Sequence, residues 1–565
     1  MSRPNIYLER PWLQYYPEEV PKGITVPGIS LGEAFDQATD AFPQKPALVF
    51  YGTEIRFQNL RSMVDKFAHA ISQLGVQKGD KIVLHLFNCP QLVIAYFGAF
   101  KAGAAVSVVS PAYTADELKF LLEDSEAKLI VSQDLLYPTL KKSGSNPQNI
   151  IIANSDDFAS PSEEMLGSDL LKAYEQVRGL DQSLADTPGV YSFQKLLDQH
   201  PPQSPQVTLN PKNDVAAIPY TGGTTARPKG AMLTHSNLIA EHIQFKSVWP
   251  MLKPGEEVFP AFLPFSHIFG QALCMVHGIL MGASLLIFST PNMQHILQTC
   301  EHYKATIFTG VPTLYEMLKE HPAINMIDWK RYKILMAAGD ALRESTANGW
   351  KEKTGSQLFE GYGLTETSGA VFANPYDRPK IGSMGCPMPG VWGAVISPED
   401  GKPVSVGEVG ELVISGSSVM KGYWKREEDN QEVFLNFEGK TWFRTGDLVR
   451  MDEEGYFHYY SRSKDLIKYK GYSVFAREIE EVIAAHPQVS EVAVVGIPDA
   501  KVGEYVKSYV VLHSETKEEI DQGNITSFCQ ERLAHFKIPR IVEFRDQLPK
   551  TNVGKLLKRA LKEEG

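Results

Sequence analysis

Cysteine is scarce in this chain of 565 residues: Cys89, Cys274, Cys300, Cys386 and Cys529 are scattered, and no two form a Cys-x-x-Cys pair. That pattern excludes a disulfide framework and a zinc site. It fits reduced thiols serving as small core hydrophobes in a cytoplasmic setting. Long apolar runs are also absent. The stretches 92–100 and 278–288 are too short to span a bilayer, and residues 1–6 carry no apolar signal core, so a soluble protein is expected. Positive charge is not in excess. A net charge of −11 argues against a nucleic-acid binder with a basic face and against tight docking on anionic lipid. Two phosphate motifs are missing as well. Gly223 is followed by four residues and then Pro228, where a Walker loop needs Gly-Lys-Ser/Thr. The run Gly361-Tyr362-Gly363-Leu364-Thr365-Glu366 ends in an acid where a dinucleotide fingerprint needs glycine.

What is present is a globular composition, 43% hydrophobic and 22% charged, in a chain long enough for two or more domains. Residues 81–87 read as a strand, 90–101 as a helix and 104–109 as a strand, which is a βαβ unit of a parallel sheet. The pair 306–309 and 311–319 repeats the alternation. Residues 143–205, rich in Ser, Asp, Gln and Pro, read as a surface excursion with little regular structure. Past residue 450 the texture changes to short strands and turns. From residue 473 a compact α+β pattern begins, with an amphipathic helix at 478–485, strands at 492–495 and 505–512, and a helix at 525–533. The expected architecture is α/β. A large N-terminal domain, residues 1–463, has parallel-sheet βα layers plus a β-rich subdomain. A small mobile C-terminal α+β domain spans 464–565, with the charged stretch 461–465 as the joint.

Five short segments carry the chemistry. The first, 220–230, reads Tyr-Thr-Gly-Gly-Thr-Thr-Ala-Arg-Pro-Lys-Gly. Its glycines let backbone N–H groups approach a phosphate, and its hydroxyls and Lys229 add donors and charge. The second, 360–367, places Glu366, a hard oxygen ligand suited to Mg²⁺, beside Tyr362, a flat face for a base. The third, 442–447, ends in Asp447, whose carboxylate can accept two ribose hydroxyls at once. The fourth, 461–472, gathers Arg462, Lys464, Lys468 and Lys470. The fifth, 548–555, is a Pro- and Gly-shaped turn that presents Lys555.

In this order and at these separations the segments resemble the adenylate-forming superfamily of acyl-CoA synthetases, luciferases and adenylation domains. The similarity spans nearly the whole chain. The opening Arg10-Pro11-Trp12-Leu13 with Tyr16-Pro17, and the pair Gly222-Gly223, are similar to long-chain fatty acid–CoA ligases. The resemblance implies that Thr221, Gly222, Gly223, Thr224, Thr225 and Lys229 hold the phosphates. It assigns Gly339, Glu360, Gly361, Tyr362, Gly363 and Thr365 to AMP, Asp447 to the ribose, and Glu366 with Thr221 to Mg²⁺. Arg462 would contact the nucleotide, Lys464 would be the hinge, and Gly471 would let pantetheine pass. Lys468 would lie near the adenylate during thioester formation, and Lys555 would be the catalytic lysine. His267, in Phe262-Leu263-Pro264-Phe265-Ser266-His267, would lie near the substrate carboxylate. No acid that could pair a substrate ammonium appears between residues 262 and 273, so an uncharged acyl tail is expected there.

The expected activity is therefore an AMP-forming acid–thiol ligase using ATP, Mg²⁺ and coenzyme A on a medium- or long-chain fatty acid. The small domain is expected to rotate between half-reactions. An aryl-CoA ligase, an adenylating enzyme with another acceptor, and a nucleotide-binding protein without turnover are the rivals. No carrier or thioesterase motif appears before Gly565, against a modular synthetase. The expected partners are small molecules alone, with no nucleic acid and no transmembrane segment. Peripheral membrane contact and the choice between monomer and homodimer are left open.

Overall fold

The computed structural model describes residues 6–221, 228–470, 472–499, 501–513, 520–550 and 556–564. The strands Lys81–His85 and Ala105–Val109 are almost wholly apolar and buried, as strands covered on both faces must be, and they pair in parallel. Between them runs the helix Pro90–Lys101, with Pro90 in its first turn and all but its last residue buried. These strands sit at the centre of the largest sheet. Ala127–Gln133 and Asn149–Ala153 continue it on one side, and Val215–Ala217 and Lys229–Thr234 on the other. A second sheet holds Val258–Ala261, Ser284–Ile287 and Pro46–Phe50 in parallel. A third is built on parallel Ile307–Gly310, Ile334–Ala338 and Phe359–Leu364. Antiparallel strands from Trp392–Ile396 to Phe457–Arg462 make a β-rich layer beside them.

The segment 143–205 departs from its sequence reading. It contributes the strands Asn149–Ala153 and Val190–Ser192 to the large sheet, and the helices Ser168–Val177 and Phe193–Gln199 beside them. Its polar residues are the reason it reads as a loop, yet several are helix caps. The Ser162 hydroxyl accepts from the Met165 N–H, and the Ser192 hydroxyl from the Lys195 N–H. The strand Phe359–Leu364 runs through the glycine motif. A Cβ on Gly363 would lie 2.0 Å from the Gly369 carbonyl oxygen, so only glycine lets the antiparallel strand Gly369–Ala373 come this close.

From Ile467 onward the chain builds a second core, from Ile467, Ile479, Val494, Val510 and Ile525 among others, that is separate from the large one. Two arginines tie the two bodies together. Arg477 donates to the Tyr459 carbonyl at 2.7 Å, and Arg343 donates to the Val492 carbonyl at 3.4 Å. All five cysteines are buried and unbonded. Among the described residues no helix is long and apolar enough to cross a membrane.

Candidate functional site

The parallel strands deliver their carboxyl ends to one cleft of about 2060 Å³ between the two bodies. Asn88 follows Lys81–His85, Ser110 follows Ala105–Val109, Val311 follows Ile307–Gly310, and Gly339 follows Ile334–Ala338; all four line it. This is where open α/β sheets bind ligands, because loops diverge there and leave a crevice.

Of the residues singled out in the sequence, Gly339, Glu360, Gly361, Tyr362, Gly363, Asp447, Arg462 and Lys464 line this cleft. Asp447 is fully buried, accepts from the Tyr362 hydroxyl at 2.5 Å and pairs with Arg462 Nε at 2.9 Å. The phenol of Tyr362 is held well above its usual range by burial and then by the Asp447 charge, so it stays a donor. Glu360 is buried and its carboxyl is pushed up to about 8 by burial; its Oε1 accepts from the Leu342 N–H at 3.2 Å. One wall of the cleft thus carries a charged carboxylate already met by an arginine and a tyrosine, a geometry suited to paired hydroxyls.

The described residues expected to hold the phosphates and Mg²⁺ lie together, off this lining. Tyr220–Thr221 and Lys229–Thr234 pair antiparallel, with Thr221 opposite Lys229. The Thr221 hydroxyl contacts the Lys229 carbonyl at 3.4 Å, and the Lys229 ammonium is paired with Asp429. Gly222, Gly223, Thr224 and Thr225, between these strands, lie outside the described residues, as do Gly471 and Lys555. Glu366 sits in the turn Thr365–Thr367, pinned by the Met420 N–H donating to its carbonyl at 2.7 Å. Its Oε1 accepts from the Tyr423 hydroxyl at 2.6 Å, and the same ring lies 5.3 Å from the Lys229 ammonium. Tyr423 therefore joins the two sequence motifs that hold Lys229 and Glu366. Sequence reasoning missed it because it arrives from a strand, Gly422–Tyr423, that pairs with Lys229–Thr234 from nearly two hundred residues away. We predict that Tyr423→Phe raises the KM for MgATP about tenfold, since a hydrogen bond to a charged group contributes about 1.5–3 kcal/mol. Steady-state titration of MgATP checks this, and an unchanged KM would show that the hydroxyl does not set the pose of Glu366.

Lys468 is exposed and does not line the cleft; its N–H donates to Glu504 at 2.9 Å. The flanks of Lys555 do reach it, through Leu548, Lys550, Leu556 and Leu557. His267 lines a small side cavity with Pro264, Gly270, Val311 and Gly339, and its Nδ1 accepts from the Phe269 N–H at 3.2 Å. Two residues further on begins a π-helix, Phe269–His277, that the sequence pattern did not announce. Such helices are rare and cluster at functional sites.

Profiles of known families decide the kinship. The profile of the AMP-binding enzyme matches residues 35–424, and that of the AMP-binding enzyme C-terminal domain matches residues 478–555. The chain belongs to the AMP-binding enzyme family. This AMP-binding enzyme is 34% identical to a long-chain-fatty-acid–CoA ligase of Bacillus subtilis over 561 residues, covering 98% of each chain. It is 35% identical to the long-chain-fatty-acid–CoA ligase of Escherichia coli O157:H7, covering 99% of this chain and 98% of the other. Its fold is similar to the crystal structure of ATP-bound MatB from Rhodopseudomonas palustris, with a TM-score of 0.81, 28% identity, and 95% and 99% of the two chains covered.

Proposed function

We propose that this AMP-binding enzyme is an ATP-dependent fatty acid–CoA ligase acting on medium- or long-chain acids. In the first step a carboxylate oxygen bonds to the α-phosphorus of ATP, the bond to the bridging oxygen breaks, and pyrophosphate leaves. In the second, the thiol sulfur of coenzyme A attacks the acyl carbon, its proton passes to solvent, and AMP departs. The observation that carries this reading is one interdomain cleft holding both the Asp447–Tyr362–Arg462 wall and an apolar wall at Leu263, Pro264 and Val311. Bringing a carboxylate to a phosphate costs about 4 kcal/mol of repulsion at about 4 Å and an effective dielectric near 20. A cation shared by both partners reverses that sign, which is the role we assign to Lys555.

Thr221 and Glu366 fit Mg²⁺. Both offer hard oxygen, and Tyr423, bonded to Glu366, lies beside Lys229, the register partner of Thr221. When bound, the ion would neutralise phosphate charge. Arg462, two residues before Lys464, anchors the proposed hinge between residues 1–463 and 464–565 to the large domain. The Lys555 flanks face the cleft and Lys468 does not, which supports a rotation that exchanges them between steps. Buried, unbonded thiols fit a cytoplasmic setting.

AMP release from ATP, measured with acetate, octanoate, palmitate and benzoate, each with and without CoA, tests the proposal. Release that requires CoA and rises toward the longer alkyl acids is expected. Release with benzoate alone would move the enzyme to the aryl ligases. Pyrophosphate exchange without CoA-dependent release would indicate another acceptor.

A further inference from the structure

Glu241, on the helix His235–Val248, is fully buried, and the Ala370 N–H is the one group that approaches its carboxyl among the described residues, outside good hydrogen-bonding geometry. It is not on the cleft surface but one layer behind it. Gly363 and Leu364 line the cleft, and they pair in register with Ala370 and Gly369. A Cβ built on Gly369 would sit 3.3 Å from Glu241 Oε1 and 3.4 Å from the Ala272 methyl. Ala272 lies on the π-helix that begins beside His267 and whose Gly270 lines the small side cavity. The groups that separate Glu241 from the two cavities include the small residues Gly369, packed against Gly363, and Ala272, two residues from Gly270; Gly363 lines the cleft and Gly270 the side cavity.

Glu241 has company of the same kind. Gln244, one turn further on the same helix, is fully buried with both its oxygen and its nitrogen unpartnered. Gln271, next to Ala272, has a buried unpartnered oxygen. His277, at the far end of the π-helix, meets His242 at 3.0 Å through Nδ1 and has no partner at Nε2. Buried polar groups nearly always find partners, and four such residues on two facing helices call for one from outside the chain. Burial pushes the Glu241 carboxyl up to about 8, opposed only by the nearby Ala370 N–H, so near neutral pH it both donates and accepts.

We propose that Glu241, with Gln244, forms a polar subsite at the distal end of the acyl pocket, and that the preferred substrates carry a neutral hydrogen-bonding group, such as a hydroxyl, on the far part of an otherwise apolar chain. This rests on the fatty acid–CoA ligase reading. A site built to bond a hydroxyl rejects the analogue that lacks it, because its own buried groups are then left unpaired.

The test compares kcat/KM for octanoate, laurate and palmitate with their ω-hydroxy forms, in the parent enzyme and in Glu241→Leu and Glu241→Gln, read as CoA-dependent AMP release. At the chain length that reaches the subsite, the parent favours the hydroxy acid about tenfold. Glu241→Leu reverses the preference toward the methyl-ended acid by about tenfold, and Glu241→Gln retains it. Thermal melting of both variants verifies the fold, and the Gln variant keeps the comparison informative if the Leu variant does not fold. A parent enzyme that disfavours the hydroxy acid at every length, or a ratio that Glu241→Leu leaves unmoved, overturns the subsite: water alone then satisfies these groups. Turnover of the unmodified acids in that case leaves the ligase reading standing. Silence with all six acids removes both.

Discussion

Replacing Lys555 by alanine lowers the rate of acyl-adenylate formation by about a thousandfold, about 4 kcal/mol of transition-state stabilisation. The same variant converts supplied acyl-adenylate and CoA to thioester within about threefold of the parent rate. The asymmetry follows from the charges. In the first step two anions meet and a third charge develops on the departing pyrophosphate. In the second, a thiol attacks a neutral acyl carbon, and no phosphorus–oxygen bond changes. The flanks of Lys555 line the cleft while Lys468 lies outside it, which on the proposed division of labour is the arrangement expected for the first step. Pre-steady-state quench measurements of acyl-AMP, with a separate assay of the second half-reaction, check the split. Equal losses in both would remove the division of labour and, with it, the need for rotation about Lys464.

Asp447→Asn is expected to lower kcat/KM for ATP by two to three powers of ten, about 3–4 kcal/mol. The amide keeps the volume of the carboxylate but not its charge. It leaves Arg462 without its ion partner, and it offers one acceptor oxygen where the carboxylate offers two. Asp447 is fully buried, so solvent cannot make up the loss. The deficit is expected in the affinity for ATP more than in CoA, which isothermal titration with a non-hydrolysable ATP analogue measures directly. Affinity within a factor of two of the parent would mean that Asp447 holds Arg462 in place and does not meet the ribose.

How far the sequence carries can be judged residue by residue. The strands Lys81–His85 and Ala105–Val109 are legible because burial on both faces demands uninterrupted apolar runs, and the helix between them because Pro90 marks its first turn. Glu360, Tyr362, Asp447 and Arg462 are legible because each sits in a compact motif, and the structure brings all four to one cleft. Tyr423 and Glu241 were not. Each lies in an unremarkable stretch and gains its significance from what the topology places beside it: Glu366 and Lys229 in one case, Gly369 and Ala272 in the other. The absence of an acid between residues 262 and 273 is a true statement about the sequence, yet a carboxyl from another helix packs, as Ala272 does, against Gly369. The π-helix was invisible for a related reason, since a buried helix that is apolar on most sides has no periodicity to betray its winding. The segment 143–205 reads as a loop because caps and loops draw on the same polar residues.

The two arginine ties between the bodies have an evolutionary consequence. Each donor belongs to a different domain, Arg343 to the large and Arg477 to the small, and each acceptor is a main-chain carbonyl, of Val492 and Tyr459. Carbonyls cannot be lost by substitution. The joint is therefore tolerant of sequence drift at the accepting positions and dependent on two donor codons. A lineage could retune how firmly the small domain rests in this position by changing one arginine at a time, and because both arginines line the same cleft as Asp447 and Tyr362, such a change would also be felt there.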